Sequence, residues 1–163
     1  MALPLYQEDF WWFNDKIFLS DNIEKYQGFV YVIVDLTNNK KYVGRKYFYS
    51  IRKVKNKRNR QRVESDWKDY WSSSKSLQKL VEEKGKANFK RIILSLHITR
   101  GDTNYSEIKE QFIRNVLESN DYYNDTISKY NKVTPRIIES RCYNTITDQS
   151  SSTNDSAPQG AIV

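Results

Sequence analysis

Two tyrosine-bearing tripeptides, one on each side of an Asn38-Asn39 turn, are the feature that most constrains what this chain can fold into. The first is Phe29-Val30-Tyr31, which opens a β-branched run to Val34, and the second is Tyr42-Val43-Gly44. β-Branched and aromatic residues favour strands, and paired asparagines followed by lysines favour a turn between them. The sequence therefore predicts a β-hairpin with one tyrosine on each strand.

Other residues, at particular distances from the hairpin along the sequence, indicate that the two tyrosines have a role other than packing. A tyrosine on a strand is usually a half-buried packing residue, so either tripeptide alone would indicate only structure. Here the two tyrosines are eleven residues apart, Gly44 follows the second strand, Arg52 comes ten residues after Tyr42, and a glutamate and an asparagine follow much later. The combination indicates an active site built on the hairpin.

This spacing resembles that of the GIY-YIG nuclease family. The stretch from Val63 to Ser73 is also similar to short phage-encoded Seg-type homing endonucleases, and the resemblance covers roughly residues 27 to 124. It implies that one helical glutamate binds a single divalent metal ion, Mg²⁺ or Mn²⁺, and that Gly44 allows a close approach. The site residues that it implies are Tyr31, Tyr42, Arg52, Tyr70, Glu110 and Asn124.

Two of these assignments remain open between neighbouring residues. Glu107 lies one helical turn before Glu110 and competes with it for the metal. A long basic insertion makes the register of the phosphate-binding arginine ambiguous, so Arg62 is the alternative to Arg52.

The chain also departs from the family pattern, and one departure bears on the chemistry. Asn56 occupies the position where many members carry a catalytic histidine, and Arg45 stands where a lysine is frequent. Without a nearby imidazole, tyrosines are the candidates for the general base, with Tyr31 as the leading one. An unperturbed phenol has a pKa of about 10, so work near pH 7 requires roughly 4 kcal/mol of help from cations and the metal.

The positive charge of the chain is concentrated in one segment. The net charge is +7, and residues 45 to 62 contain nine of the 27 basic residues and no acidic one. The other 18 basic residues are outnumbered by the 20 acidic ones. A cationic strip of this kind holds backbone phosphates without reading bases. We therefore expect a phosphate-facing loop whose nucleic-acid contacts, besides Arg52, are Arg45, Lys46, Lys53, Lys55, Lys57, Arg58, Arg60 and Arg62.

Further elements are expected after this segment. Serines 72 to 74 offer N-caps for a helix through Leu77, Leu80 and Val81, which Gly85 ends, and residues 89 to 96 read as a buried strand. A second helix is predicted from residue 105 to 118, with Ile108, Phe112 and Val116 facing inward and Asp102, Thr103 and Ser106 available as caps. The predicted fold is α+β, with a small three-stranded antiparallel sheet flanked by helices.

Length and composition predict one domain in a reducing compartment. A chain of 163 residues suffices for one core. Residues 1–27 are expected to pack as an aromatic-rich lead-in on a nuclease-like domain at 28–144, followed by a disordered polar tail at 145–163. A single cysteine, Cys142, excludes an internal disulfide, and no apolar run of 18 residues occurs, which favours the cytoplasm.

Two classes of function compete. The first is a divalent-metal-dependent DNA endonuclease, phage-encoded and of a homing or DNA-processing type. The second is a GIY-YIG-like protein that binds nucleic acid but has lost cleavage together with the histidine. Neither a membrane nor a small-molecule cofactor is expected as a partner.

Overall fold

A computed structural model describes residues 10–53, 55 and 58–131, which form an α+β fold. The helices are α1 (Lys75–Lys84) and α2 (Arg100–Ile113). The strands are β1 (Trp11–Phe13), β2 (Lys16–Phe18), β3 (Gly28–Asp35), β4 (Lys41–Tyr47), β5 (Tyr49–Lys53), β6 (Arg60–Glu64), β7 (Phe89–His97), β8 (Thr126–Ile127) and β9 (Tyr130–Asn131).

The tyrosine hairpin is confirmed. Strands β3 and β4 pair antiparallel, with Tyr31 opposite Gly44. Asn39 takes a positive φ of 59° and donates its backbone N–H to the carbonyl of Asp35 at 2.8 Å. Asparagine tolerates this left-handed conformation better than most residues, which explains its place in the turn.

The sheet is larger than the predicted three strands. Strands β7, β3 and β4 form the expected antiparallel core, but the full order is β2-β1-β7-β3-β4, and β1 runs parallel to β7. The aromatic lead-in was expected to pack on the sheet, whereas part of it extends the sheet as a hairpin. Its turn residues Asn14 and Asp15 both have positive φ, 48° and 60°, as a two-residue hairpin turn requires. The prediction of a small antiparallel sheet was wrong in size and in strand direction.

The basic segment, which was expected to be a loop, contains two strands. Strands β5 and β6 pair antiparallel as a separate two-stranded hairpin, with Arg52 opposite Gln61. Side chains alternate across a strand, so Arg52 lies on one face of this hairpin while Ile51 and Arg62 lie on the other. We call strands β5 and β6 the basic hairpin.

Helix α1 matches its prediction, and α2 begins five residues earlier than expected. The Ser74 side chain caps α1, and Gly85 follows its end with a φ of 86°. Helix α2 starts at Arg100 because the Thr99 hydroxyl accepts the N–H of Asp102 and donates to its carboxylate at 2.6 Å. It ends at Ile113, and Phe112 is half exposed, so the predicted inward stripe is wrong at that residue.

The two faces of the main sheet pack against different elements. Alternate residues of β3 and β4, including Phe29, Tyr31 and Tyr42, join an aromatic core that contains residues of α1; we call this the tyrosine face. The intervening residues Val30, Val32 and Val43 pack with Ile108, Val116 and Leu117; we call this the α2 face. The trio of Trp11, Tyr31 and Phe29 is fully buried, which fixes the first strand of the hairpin.

Several expectations fall outside the described residues. These are Asn56, Lys57, Cys142, the domain end at 144 and the tail at 145–163. Among the helices of the described part, none is long and apolar enough to cross a membrane.

Candidate active site

Three tyrosines that the sequence singled out meet on the tyrosine face. Tyr31 lies on β3, Tyr42 on β4, and Tyr70 follows a short 3-10 turn at Trp67–Asp69. The ring of Tyr31 lies 6.3 Å from that of Tyr42 and 6.1 Å from that of Tyr70. We call these three residues the tyrosine cluster.

Tyr31 is the innermost member of the cluster. Only 1% of it is exposed, and its hydroxyl is hydrogen-bonded to Tyr70 and Ser72. Burial raises the pKa of its phenol well above the ordinary value. A Cβ placed on Gly44 would come within 2.5 Å of this hydroxyl oxygen, so the glycine makes room for the buried tyrosine.

Tyr70 lies half-buried at the surface of the cluster, between a cation and two hydroxyls. The Lys46 ammonium is 3.7 Å from the centre of its ring, and its hydroxyl is hydrogen-bonded to Ser73 and Tyr31. Burial raises the pKa of the Tyr70 phenol, and those two hydrogen bonds oppose the rise. Lys46 also donates to Asp66 at 2.7 Å, which lowers the pKa of that carboxyl.

A buried arginine binds the backbone of the segment that carries Tyr70. Arg91 of β7 is 1% exposed and donates to the backbone carbonyls of Lys68 and Tyr70, at 2.8 and 3.0 Å. Its guanidinium lies between two indole rings, 4.8 Å from Trp11 and 4.4 Å from Trp71. The buried charge is therefore used to fix the backbone on both sides of Asp69.

The same segment stores backbone strain at Ser72. This serine is fully buried and has a φ of 109°, a region that side-chain-bearing residues rarely adopt. Its hydroxyl accepts the N–H of Ser74 at 2.9 Å and also bonds to Tyr31, while its carbonyl accepts from Gln78 at 2.6 Å. The strained conformation places a hydroxyl against the buried tyrosine.

A cationic groove adjoins the tyrosine cluster at Lys46. It encloses about 500 Å³ between the basic hairpin and the main sheet, and its lining includes Lys46, Arg52, Arg60, Arg100 and Asp66. Arg52 also lowers the pKa of Asp66, after the larger effect of Lys46. The candidate arginine Arg52 therefore shares this groove with Lys46.

Of the other cations predicted to contact phosphates, some bind side chains of the protein and others are exposed at the basic hairpin. Arg62 lies 3.8 Å from the ring centre of Tyr49, and Arg45 pairs with Glu107 and bonds to Tyr47. Lys57 is outside the described residues. The exposed cations at or near the tip of the basic hairpin are Lys53, Lys55, Arg58 and Arg60.

Asn124 lies at the free edge of β4 and not in the tyrosine cluster. Its amide accepts the backbone N–H of Val43 at 2.9 Å and donates to the carbonyl of the same residue at 2.8 Å. Gln111 of α2 donates to that carbonyl as well, at 3.1 Å. Asn124 is 2% exposed, so its amide replaces the hydrogen bonds of a neighbouring strand.

The two competing glutamates of α2 have different surroundings, and both belong to the helix that packs on the α2 face. The Glu107 carboxylate accepts from the guanidinium and the backbone N–H of Arg45. Burial raises the pKa of Glu107, and Arg45 opposes that rise. Glu110 instead accepts from Arg114 at 2.9 Å, and 31% of its side chain is exposed.

Only one of these carboxylates fits a metal ion. The resemblance to GIY-YIG nucleases implies a divalent metal ion. Mg²⁺ takes few protein ligands, often one carboxylate together with water and substrate phosphates. Glu110 meets this requirement better because it and its partner Arg114 are each about one-third exposed, whereas Glu107 is largely buried against Arg45 of β4. Within the described ranges, no three His, Cys, Asp or Glu side chains cluster.

The sequence reasoning missed four residues that shape the site. The sequence places Asp66 in a motif without indicating that it pairs with Lys46, and it gives no sign that Arg100 lines the groove. Ser72 was proposed only as a helix cap, although the cap is Ser74. A single buried arginine, Arg91, gives no signal within a strand that otherwise reads as apolar.

The hairpin with a tyrosine on each strand, a glycine facing the first tyrosine and flanking helices together define a GIY-YIG domain. The comparison with family models agrees: residues 11–127 match the family described as "Putative endonuclease segE, GIY-YIG domain". The chain therefore belongs to this family, and the match includes β1 and β2. Neither the curated proteins nor the solved structures contain a significant match.

Proposed function

We propose that this protein is a divalent-metal-dependent DNA endonuclease that hydrolyses phosphodiester bonds. The observation that carries the proposal is the tyrosine cluster, which lies beside the cationic groove and shares Lys46 with it. Cations hold a phosphate, and a polar hydroxyl cluster next to them can handle a proton. Membership of an endonuclease-domain family agrees with DNA as the substrate.

Each polar group of the site has a role in this proposal. Arg52 and Lys46 bind the non-bridging oxygens of the scissile phosphate, and Tyr42 donates a hydrogen bond to it. The tyrosine cluster supplies the general base that takes a proton from the attacking water. Asn124 acts indirectly, because it fixes the edge of β4 on which Tyr42 lies.

Glu110 is the residue that would hold the metal. When bound, Mg²⁺ supplies positive charge that offsets the charge developing on the phosphate and on the departing oxygen. Glu107 keeps Arg45 and the edge of β4 in place, a positioning role.

We further propose that the enzyme is of a phage-encoded homing or DNA-processing type that acts in the host cytoplasm. The support is the similarity of residues 63–73 to Seg-type proteins, together with the matched family. The basic hairpin would bind backbone phosphates without base specificity.

A second candidate is a nucleic-acid-binding protein that no longer cleaves. Two observations favour it: Asn56 replaces the frequent histidine, and Tyr31 is buried with its hydroxyl already bonded. Binding without cleavage would still use the groove and the basic hairpin.

A plasmid-nicking assay separates the two candidates. Supercoiled DNA is incubated with Mg²⁺ and the wild type, Glu110→Ala, or the matched control Glu82→Ala, an exposed glutamate of α1. We expect nicking by the wild type and by Glu82→Ala but not by Glu110→Ala, with equal DNA affinity for all three. A wild type that binds DNA normally and cuts nothing would contradict the endonuclease proposal and favour the second candidate.

A further inference from the structure

We propose that Tyr70 is the tyrosine that contacts the reacting groups, and that Tyr31, the first tyrosine of the hairpin, is a positioning residue. The inference rests on the proposed endonuclease function and assigns the roles within its tyrosine cluster. It reverses the order that the sequence favours, in which Tyr31 is the leading base.

Access is the first reason for this assignment. Tyr31 is 1% exposed, and its hydroxyl lies against Gly44 and bonds to Tyr70 and Ser72. A water or phosphate could reach that hydroxyl only by displacing these neighbours. Tyr70 is half-buried, and its hydroxyl bonds to the exposed residue Ser73 as well as to Tyr31. The substrate therefore meets Tyr70 before it meets Tyr31.

Charge is the second reason. The Lys46 ammonium lies 3.7 Å from the ring centre of Tyr70 and belongs to the groove that would hold the phosphate. A cation at this distance favours negative charge on the phenol and opposes the rise in the Tyr70 pKa that burial causes. The other charged or titratable groups that face Tyr70 are Asp66, which is paired with Lys46, and the phenols of Tyr31 and Tyr42. A phosphate that took Lys46 from Asp66 would lie next to Tyr70.

The third reason is how much of the structure is devoted to placing Tyr70. The buried Arg91 donates to the carbonyl of Tyr70 itself, and the strained Ser72 follows two residues later. Buried charges and positive φ values at serine each cost free energy, and such costs concentrate at functional sites. These contacts fix the backbone that carries Tyr70, and its hydroxyl also interacts with that of Tyr31.

The step that this geometry supports is a direct hydrolysis. The water oxygen forms a bond to phosphorus while the bond from phosphorus to the 3′ oxygen breaks. The water proton passes to the phenolate oxygen of Tyr70, and the departing 3′ oxygen takes a proton from bulk water. Tyr70 then releases its proton to the solvent, so that one water molecule is consumed and the residue returns to its starting state.

Single-turnover cleavage of a defined duplex, measured from pH 6 to 10 with Mg²⁺, tests the assignment. The variants are Tyr70→Phe, Tyr31→Phe and the control Tyr105→Phe, a residue of α2 that is 68% exposed. DNA affinity and thermal unfolding are measured in parallel. Phenylalanine keeps each ring and removes only the hydroxyl.

We expect Tyr70→Phe to lower the rate of the chemical step by about 10² or more and to abolish its rise with pH, with unchanged DNA affinity. Tyr31→Phe should lose only about tenfold and keep the rise, since it positions Tyr70. Full activity in Tyr70→Phe, or loss of the pH-dependent rise in Tyr31→Phe alone, would overturn the inference and leave the endonuclease proposal standing. A wild type without cleavage would overturn both.

A second variant keeps the inference testable should Tyr70→Phe fail to fold. Tyr70→3-fluorotyrosine retains the hydroxyl and lowers the pKa of the phenol. If Tyr70 is the base, the rising limb of the pH profile should move to lower pH. The same substitution at Tyr31 should leave the position of that limb nearly unchanged. A shift confined to the Tyr31 variant would overturn the inference.

Discussion

Along β4, the residues that face the tyrosine cluster and the residues between them contact different parts of the protein. On the tyrosine face, Tyr42, Gly44 and Lys46 contact the tyrosine cluster and the cationic groove. On the other side, Val43 is hydrogen-bonded by Asn124 and Gln111, and Arg45 is held by Glu107. The first set contacts phenol rings and the groove, and the second set is held by the amide and carboxylate side chains of Asn124, Gln111 and Glu107.

This difference distinguishes the family residues that we propose to contact the substrate from those that position strand β4. A motif read along the chain treats Tyr42 and Asn124 as equal members of one site. The structure places Tyr42 on the tyrosine face and Asn124 at the edge of the same strand. Loss of Tyr42 is therefore expected to lower the rate of cleavage, and loss of Asn124 is expected to lower stability.

The largest expected effect is on stability. Asn124→Ala leaves the N–H of Val43 without its side-chain partner and removes one of two donors to its carbonyl, in a buried site. We expect the free energy of unfolding to fall by about 3 kcal/mol, from the combined loss of buried hydrogen bonds. Urea denaturation measures this, and Asn120→Ala, at an exposed position, is the control with little change. A stable Asn124→Ala protein that has lost cleavage would break the comparison.

The next largest effect concerns Asp35, a polar residue on the tyrosine face that we expect to contribute to stability and not to catalysis. Burial alone would raise the pKa of Asp35, but hydrogen bonds from Lys84, Thr37 and Tyr123 lower it from 3.8 to about 2. Because the folded pKa lies below the unfolded one, the stabilisation is complete above about pH 4 and is lost as pH falls through about 2; it amounts to roughly 2 kcal/mol.

Urea denaturation of the wild type and Asp35→Asn between pH 6 and 2 measures this contribution. The variant should show a flatter decline of stability in acid and normal cleavage per folded molecule near neutral pH. An unchanged acid profile would show that Asp35 is not stabilised as a carboxylate.

A smaller effect distinguishes the two glutamates of α2. Glu107→Gln breaks a largely buried ion pair, but 38% of the Arg45 side chain is exposed to solvent, so we expect a loss of only about 1 kcal/mol. Glu110→Gln loses a surface pair worth at most about 0.5 kcal/mol. Cleavage should fall in the opposite order, with Glu110→Gln losing its dependence on Mg²⁺. Equal effects of the two variants in both assays would remove the distinction between them.

The last expected effect concerns affinity. Replacing Lys53, Lys55 and Arg58 by glutamine removes three cations of the basic hairpin, and the slope of log K against log salt for DNA binding should flatten by about 2.7. The exposed residues Lys25, Lys75 and Lys109 provide a triple control with little effect. A slope that is unchanged by the hairpin substitutions would show that these cations are only a solvated surface.

Local chemistry made much of the fold predictable. The hairpin follows from a β-branched run before Asn39 and a tyrosine-bearing segment after it, and α1 follows from a serine cap and the glycine at its end. The resemblance to the family brought Tyr31, Tyr42 and Tyr70 to attention, and the structure brings them together. In each case the signal lies within a few residues of the feature that it predicts.

Features that depend on distant partners were not predictable in this way. The turn at Asn14 and Asp15 is a hairpin signal, but pairing of β1 with β7 depends on residues about 80 positions away. The role of Asn124 depends on the free edge of β4, and that of Ser72 on a hydroxyl from β3. The order of polar residues along the sequence does not reveal which face or edge of a sheet each one occupies.

Where DNA lies relative to the two faces is the most direct test of the account. Ser73→Cys places a thiol beside Tyr70, and Thr126→Cys places one on β8 beside the α2 face; both are made with Cys142→Ser. DNA carrying a thiol-reactive group on its backbone is then mixed with each protein without Mg²⁺. We expect crosslinking at residue 73 to be at least about tenfold faster than at residue 126. Equal rates, or faster reaction at residue 126, would contradict the assignment of the general base to the tyrosine face.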